Sequence, residues 1–209
     1  MKLFLDTADV NEVKKRLSTG LISGITTNPT LIFKSGRHPQ EVYWDLIKLG
    51  VKDISMEVVG DNEEDLFARA MGHVKEYGDH VTIKVPCSVD GLKVCRRLST
   101  VNVRVNVTLI FSPAQAILAS LAGATYISPF IGRMDDNSLD GMKLINDISN
   151  TRVESKILAA SIRDPQSVGT AFALGADICT VPVGVFDKMY NHVLTDKGIE
   201  QFNKMPLEF

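Results

Sequence analysis

The chain has 209 residues, 44% of them hydrophobic and 23% charged, with a formal net charge of −2. That balance is ordinary for a soluble globular domain and provides no basic surface for nucleic acid. No run approaches the ~20 consecutive apolar residues of a membrane span. The opening MKLFLDTADV is interrupted by Asp6 too early for a secretory leader. Cys87, Cys95 and Cys179 are odd in number and lack metal-ligand spacing, which fits a reducing, cytoplasmic setting.

A strand-then-helix rhythm recurs along the chain. The first strand is read over 2–6, followed by a helix capped by Asp9 with Glu12 completing a capping-box-like pair. Gly20 and Gly24 mark the turns before a second strand over 22–27. Pro29 forces Asn28 out of the helical region and presents it at that strand's end. A helix over 41–49 precedes a third strand over 53–58. Asp61 caps a helix running to Tyr77, with Gly78 after it. The fourth strand is 81–85, its helix 91–98, and the fifth strand 103–107. Ser112-Pro113 and Asp164-Pro165 each read as a cap followed by a first-turn proline. Between them lie a sixth strand over 125–128, a helix over 136–149 and a seventh strand over 155–160. The eighth strand is 177–181, and helices over 185–192 and 196–204 follow it. Ile117, Leu118 and Leu121 have helical spacing and are expected to face the core.

No linker or low-complexity tract divides the chain, so residues 1–209 are expected to form a single domain. Its terminal helices, 185–209, would pack on the rest or on a neighbouring subunit. Eight alternating strands and helices fit a closed (β/α)8 TIM barrel or an open doubly wound sheet. No G-x-G-x-x-G follows the first strand, which leaves the dinucleotide-binding form of the open sheet without support.

In a barrel, chemistry gathers where the strands end. Here the apolar runs end in Asp6, Asn28, Glu57, Lys84, Asn106 with Thr108, Ser128, and Ser161 with Arg163; Arg133 lies just past the sixth strand. Two carboxylates, a lysine and two arginines are costly to desolvate together without a purpose. Lys84 sits inside V-T-I-K-V-P, and lysine is rarely buried unless paired or functional. Desolvation disfavours an ammonium, and a neutral amine can attack a carbonyl to form a Schiff base. His38, His73, His80 and His192 all lie away from the strand ends, which argues against a zinc centre at the mouth. Cys87 reads as a structural thiol, and Lys156, at the opposite end of its strand, as a stabilising one.

The segments FLDTAD, TTNPT, ISMEV, TIKVP, NVTLIFS, SPFIGR and AASIR resemble the transaldolases. The resemblance is to the small-subunit branch that also includes fructose-6-phosphate aldolase, and it runs from Lys2 to about Tyr190. It implies a (β/α)8 barrel of class I aldolase type with a C-terminal helical extension, using no cofactor and no metal. By this resemblance Lys84 is the Schiff-base lysine and Asp6 the acid/base at the sugar C4 hydroxyl. Glu57 and Thr108 hold a water that relays protons. Asn28, Asn106 and Ser128 contact substrate hydroxyls or the lysine region, and Arg133, Ser161 and Arg163 bind phosphate. The aldolases resemble a pattern with Gln at position 57 and Tyr at position 130; Glu57 and Phe130 resemble the transaldolase pattern. The expected substrates are phosphosugars of the pentose phosphate pathway, and the expected assembly is a homo-oligomer, a pentamer or decamer. The alternatives are an aldolase releasing dihydroxyacetone and a non-catalytic phosphosugar-binding barrel.

Overall fold

A computed structural model describes residues 1–205. Eight parallel strands close into a barrel in sequence order: β1 (Lys2–Asp6), β2 (Ile22–Thr26), β3 (Ile54–Glu57), β4 (Val81–Pro86), β5 (Val105–Ile110), β6 (Tyr126–Pro129), β7 (Lys156–Ala159) and β8 (Ile178–Val181). β1 pairs with β8 to shut the ring, with Phe4 opposite Thr180. The architecture is therefore the (β/α)8 TIM barrel, and the open-sheet alternative falls. The helices are α1 (Val10–Leu17), α2 (Pro29–Ser35), α3 (Pro39–Lys48), α4 (Glu63–Tyr77), α5 (Val89–Ser99), α6 (Pro113–Leu121), α7 (Ile131–Asp135), α8 (Gly141–Asn150), α9 (Pro165–Ala173), α10 (Val183–Lys188) and α11 (Val193–Asn203). None of the described helices is long and apolar enough to cross a membrane.

Side chains alternate across each strand, so every second residue enters the barrel. At the N-terminal end the interior is plugged by Phe4, Tyr126, Leu158 and Ile178, with the Phe4 and Tyr126 rings edge to face at 6.2 Å. Below them the Asp53 carboxylate accepts from the Tyr126 and Thr82 hydroxyls, each at 2.7 Å, and pairs with Arg104 at 3.2 Å. This buried charge is thus fully engaged, the condition for tolerating it. The floor is dry and tightly packed, which leaves the other end of the barrel as the open one.

Several expectations are corrected. Gly24 is not a turn before β2 but lies within it: a Cβ there would stand 2.6 Å from the Phe4 ring, so the residue is bare because the aromatic plug fills its space. The box at α1 is half built. Asp9 accepts from the Asn11 and Glu12 amides, but its own amide donates to Thr7, and Glu12 turns to Lys15 and Arg16. Segment 29–35, for which the sequence pattern predicts no element, is α2, with Pro29 in its first turn. Asn62, not Asp61, caps α4. The helix read over 136–149 starts later, as α8 at Gly141 with Asp140 as its cap, because the Asp-Asn-Ser turn residues ahead of it stay out of the helix; a separate short helix, α7, precedes that turn. Ile117, Leu118 and Leu121 are 40%, 55% and 73% exposed. α6 instead buries Ala116 and Ala119, because small residues let a helix lie close against a sheet. At the C-terminus α10 buries Val185 and Phe186, whereas α11 buries none of its side chains; residues 206–209 of the expected terminal segment lie outside the described residues.

The Asn62 side chain accepts from the Asp65 amide at 3.0 Å. Asn62→Ala should therefore lower stability by about 1 kcal/mol, while Asp61→Ala should change it by less than about 0.5 kcal/mol. Urea or thermal unfolding of the two variants reads the difference, and equal losses would count against this cap assignment.

Candidate active site

At the C-terminal ends of the strands the barrel opens into a cavity of about 450 Å³. Asp6, Asn28, Glu57, Lys84, Asn106, Thr108, Ser128, Phe130, Arg133, Ser161 and Arg163 all line it. The register explains the convergence: Glu57 stands beside Lys84, Lys84 beside Asn106, and Asp6 beside Thr26 on adjacent strands. A barrel of parallel strands turns these sequence-distant positions into one inward-facing ring.

Lys84 is only 4% exposed. Its Nζ donates to the Glu57 carboxylate and to the Thr27 carbonyl oxygen, both at 3.0 Å. The Thr27 carbonyl is itself fixed, because the Thr27 amide and hydroxyl both donate to the Ser55 carbonyl, at 3.1 and 2.8 Å. The amine is therefore held from two sides at the wall of the cavity, inside a network with little freedom.

A second polar chain crosses the same level. The Ser128 hydroxyl donates to Asn106 Oδ1 at 2.6 Å, and Asn106 Nδ2 donates to the Ser55 hydroxyl at 3.2 Å. Thr108 Oγ1 is buried and has no hydrogen-bond partner among the described residues, although it lines the cavity beside these groups. Such an orphaned hydroxyl is rare in protein interiors and marks a place where a water or ligand atom completes the bonding.

Asp6 accepts from the Thr26 hydroxyl at 2.8 Å, and Thr26 lies 2.7 Å from the Thr180 hydroxyl. Burial pushes the Asp6 carboxyl above the usual carboxylate range; the Thr26 hydrogen bond and the nearby Lys84 charge pull it partly back, and Glu57 adds to the rise. A carboxyl poised in this way can take and return a proton more readily than an exposed one.

At the rim, the Asn28 side chain caps α2 by accepting from the Leu31 amide at 2.9 Å. Its carboxamide oxygen is thereby committed, leaving the amide nitrogen to serve the cavity. The Arg133 guanidinium lies 5.0 Å from the Phe130 ring centroid, a cation–π arrangement. Arg163 pairs with Asp136 at 2.7 Å. Gly132 joins these two loops: a Cβ there would stand 2.0 Å from the Ser161 carbonyl oxygen. Ser161 and Leu109 both have left-handed backbones, with φ of 62° and 60°. For non-glycine residues that conformation costs about 1–3 kcal/mol and gathers at functional sites. Among the described residues no group of three or more His, Cys, Asp or Glu side chains is placed to hold a metal ion. Cys87 is half-buried just past β4, and burial raises its thiol above the usual range, the opposite of an activated cysteine.

The network includes residues that sequence reading passes over: Thr26, Ser55, Thr180 and the Thr27 carbonyl. The sequence carries a signal for one of them, and the register supplies another. Ser55 lies two residues before Glu57 on one strand face, and Thr26 is the register partner of Asp6.

The chain matches the Transaldolase/Fructose-6-phosphate aldolase family over residues 3–208. It is 46% identical to a protein of Nitrosopumilus maritimus named "Probable transaldolase", over 98% of this chain and 94% of that protein. A protein of the same name from Paracoccus denitrificans is 48% identical over 97% of this chain and 95% of its own length. One from Aquifex aeolicus is 45% identical over 98% and 95%.

The raised Asp6 proton affinity has a consequence for stability. Between the ordinary carboxylate range and the higher folded value, the folded protein binds a proton that the unfolded chain has lost, so stability falls as pH rises through that window. Asp6→Asn retains an acceptor for Thr26 and removes the buried charge. The variant should melt above the parent protein near neutral pH, with the gap closing on acidification below the window. A neutral-pH melting temperature below that of the parent would contradict this account.

Proposed function

The chain belongs to the transaldolase/fructose-6-phosphate aldolase family and is an enzyme, and we propose that it transfers a dihydroxyacetone unit between phosphosugars as a transaldolase. The donors are fructose 6-phosphate or sedoheptulose 7-phosphate, and the acceptors erythrose 4-phosphate or glyceraldehyde 3-phosphate, in the pentose phosphate pathway. The observation that carries this reading is the Lys84 amine, buried in the cavity wall and held 3.0 Å from a carboxylate.

The amine of Lys84 attacks the ketose C2 carbonyl after passing its proton toward Glu57. The resulting carbinolamine loses water to become a Schiff base, with protons relayed by a water held between Glu57 and Thr108; the unpartnered Thr108 hydroxyl supports that role. The protonated Schiff base withdraws electrons from C3. Asp6 takes the C4 hydroxyl proton as the C3–C4 bond breaks, the electron pair forms the enamine on Lys84, and the aldose phosphate departs. The acceptor aldehyde is attacked by that enamine, Asp6 returns its proton to the new hydroxyl, and hydrolysis frees the product. Asn28, Asn106 and Ser128 hold substrate hydroxyls or the lysine region. Arg133 and Arg163 supply planar forks for the phosphate oxygens beside Ser161.

Transfer requires the enamine to survive until an acceptor arrives. Phe130 brings no hydroxyl to this part of the cavity, so one candidate proton donor to the enamine is missing. This supports transfer over release of free dihydroxyacetone, as does Glu57 in place of a glutamine.

The exposed apolar residues of α6 and α11 support self-association; by family resemblance the assembly is a homo-oligomer, a pentamer or decamer, of a cytoplasmic enzyme. Ile199 is 51% and Phe202 77% exposed, more apolar surface at a chain end than a monomer comfortably leaves in water. Sedimentation should return a mass of five or ten chains, and a monomer at micromolar concentration would refute the assembly.

Borohydride added with fructose 6-phosphate should trap the sugar on Lys84, and Lys84→Ala should abolish trapping. An adduct on another lysine would end the assignment. In product analysis, turnover should depend on erythrose 4-phosphate; dihydroxyacetone release at a comparable rate without acceptor would replace this reading with the aldolase one.

A further inference from the structure

The bond between Thr26 and Thr180 has a direction that the rest of the site imposes. An ionised Asp6 only accepts, so the single Thr26 hydroxyl proton lies in the 2.8 Å bond to Asp6. The 2.7 Å bond between the threonines must then be donated by Thr180. The chain therefore reads Thr180 to Thr26 to Asp6, one hydroxyl from each of β8 and β2 ending on a carboxylate of β1, the strand between them in the barrel wall. Both threonines are nearly fully buried, Thr26 at 3% and Thr180 at 2%, and both line the cavity.

We propose that Thr180 is a positioning residue for the reaction, acting through Thr26 to aim the Asp6 carboxylate and to favour its ionised form. The inference rests on the transaldolase reading, in which Asp6 receives the C4 hydroxyl proton. Donation by Thr180 polarises the Thr26 hydroxyl and makes it a stronger donor to Asp6. It also leaves Thr26 one orientation, because its lone pair is committed on one side and its proton on the other. When Asp6 takes up the substrate proton, that proton stays on the side facing the substrate, and Thr26 keeps donating to the carboxyl, now a weaker acceptor. The bond is thus stronger to the base than to the acid, which is how the chain favours the ionised form.

The neighbouring charges leave this task to the hydroxyls. The ionisable groups that act on Asp6 are Lys84 from β4 and Glu57 from β3, of opposite sign; Arg133 and Arg163 lie at the rim of the same cavity. Of the two strands that flank β1, β2 presents Thr26 to Asp6, and β8 presents Thr180 to Thr26. The donor bonded to the carboxylate is therefore neutral, and it stabilises the charge without adding another to the cavity.

The test is a double-mutant cycle with Thr180→Val, Thr26→Val and Thr180→Ser. In the resting enzyme, the Asp6 carboxyl titration followed by carbon NMR should move to higher pH by about half a unit in Thr180→Val and about one unit in Thr26→Val. Thr180→Ser, which keeps the hydroxyl, should titrate like the parent. In turnover, the acid limb of kcat/KM should shift in the same direction, with kcat down about three- to tenfold and KM little changed. In the Thr26→Val background, Thr180→Val should have no further effect. An unmoved Asp6 titration in Thr180→Val, or an equal effect of that change with and without Thr26, would overturn the inference. Borohydride trapping on Lys84 should persist in all three variants. Failure to trap in the parent protein would refute the Schiff-base reading instead, while the NMR titration would still decide on the hydroxyl chain.

Discussion

The site depends on keeping one amine out of water without leaving it unpaired. An ammonium carried into a barrel wall loses several kcal/mol of hydration, and the fold meets that cost with two acceptors, the Glu57 carboxylate and the Thr27 carbonyl oxygen, each 3.0 Å away. Neither acceptor is free to drift. Glu57 lies beside Lys84 in register on the next strand, and Thr27 is tied by two hydrogen bonds to the Ser55 carbonyl. Ser55 in turn touches Asn106, and Asn106 touches Ser128. The geometry around the lysine is thus set by backbone pairing of adjacent strands, the stiffest element available.

The polar layer and the apolar plug beneath it divide the barrel's interior into two environments. Phe4, Tyr126, Leu158 and Ile178 close the N-terminal end, so water reaches the polar layer from the mouth alone. Burial raises the proton affinity of Asp6 through desolvation, while the Thr26 hydroxyl of β2 tempers the rise. The same burial that would make Asp6 a useful proton carrier in the proposed reaction makes it a liability for folding, a trade common at sites shaped for chemistry.

Much of this was legible in the sequence, and the reason is geometric. Parallel strands that alternate with helices must place their ends together, so Asp6, Glu57, Lys84 and Asn106 announce a shared mouth once eight units are counted. The legible signals were polar residues interrupting apolar runs. What escaped were cases where the decisive partner is distant in sequence. Gly24 looks like a turn until the Phe4 ring is seen to occupy its side-chain space. Ile117, Leu118 and Leu121 look like core because they are large, yet α6 approaches the sheet through Ala116 and Ala119. Thr26, Ser55 and Thr180 were passed over because a small hydroxyl residue within a strand is unremarkable until the register supplies its partner.

The contact at Gly132 bears on how such a site can change over time. The bare Cα of the loop after β6 rests against the Ser161 carbonyl, leaving no room for even a methyl group. Arg133 and Arg163 follow those two positions by one and two residues, so the gap between two guanidinium groups is gauged by backbone touching backbone. A single side chain at the mouth can be exchanged without moving the backbone. This spacing cannot, because widening it would require both loops to be rebuilt together. On the proposed reading, descendants of such a protein would alter the rest of the cavity more easily than the distance between the two guanidinium groups.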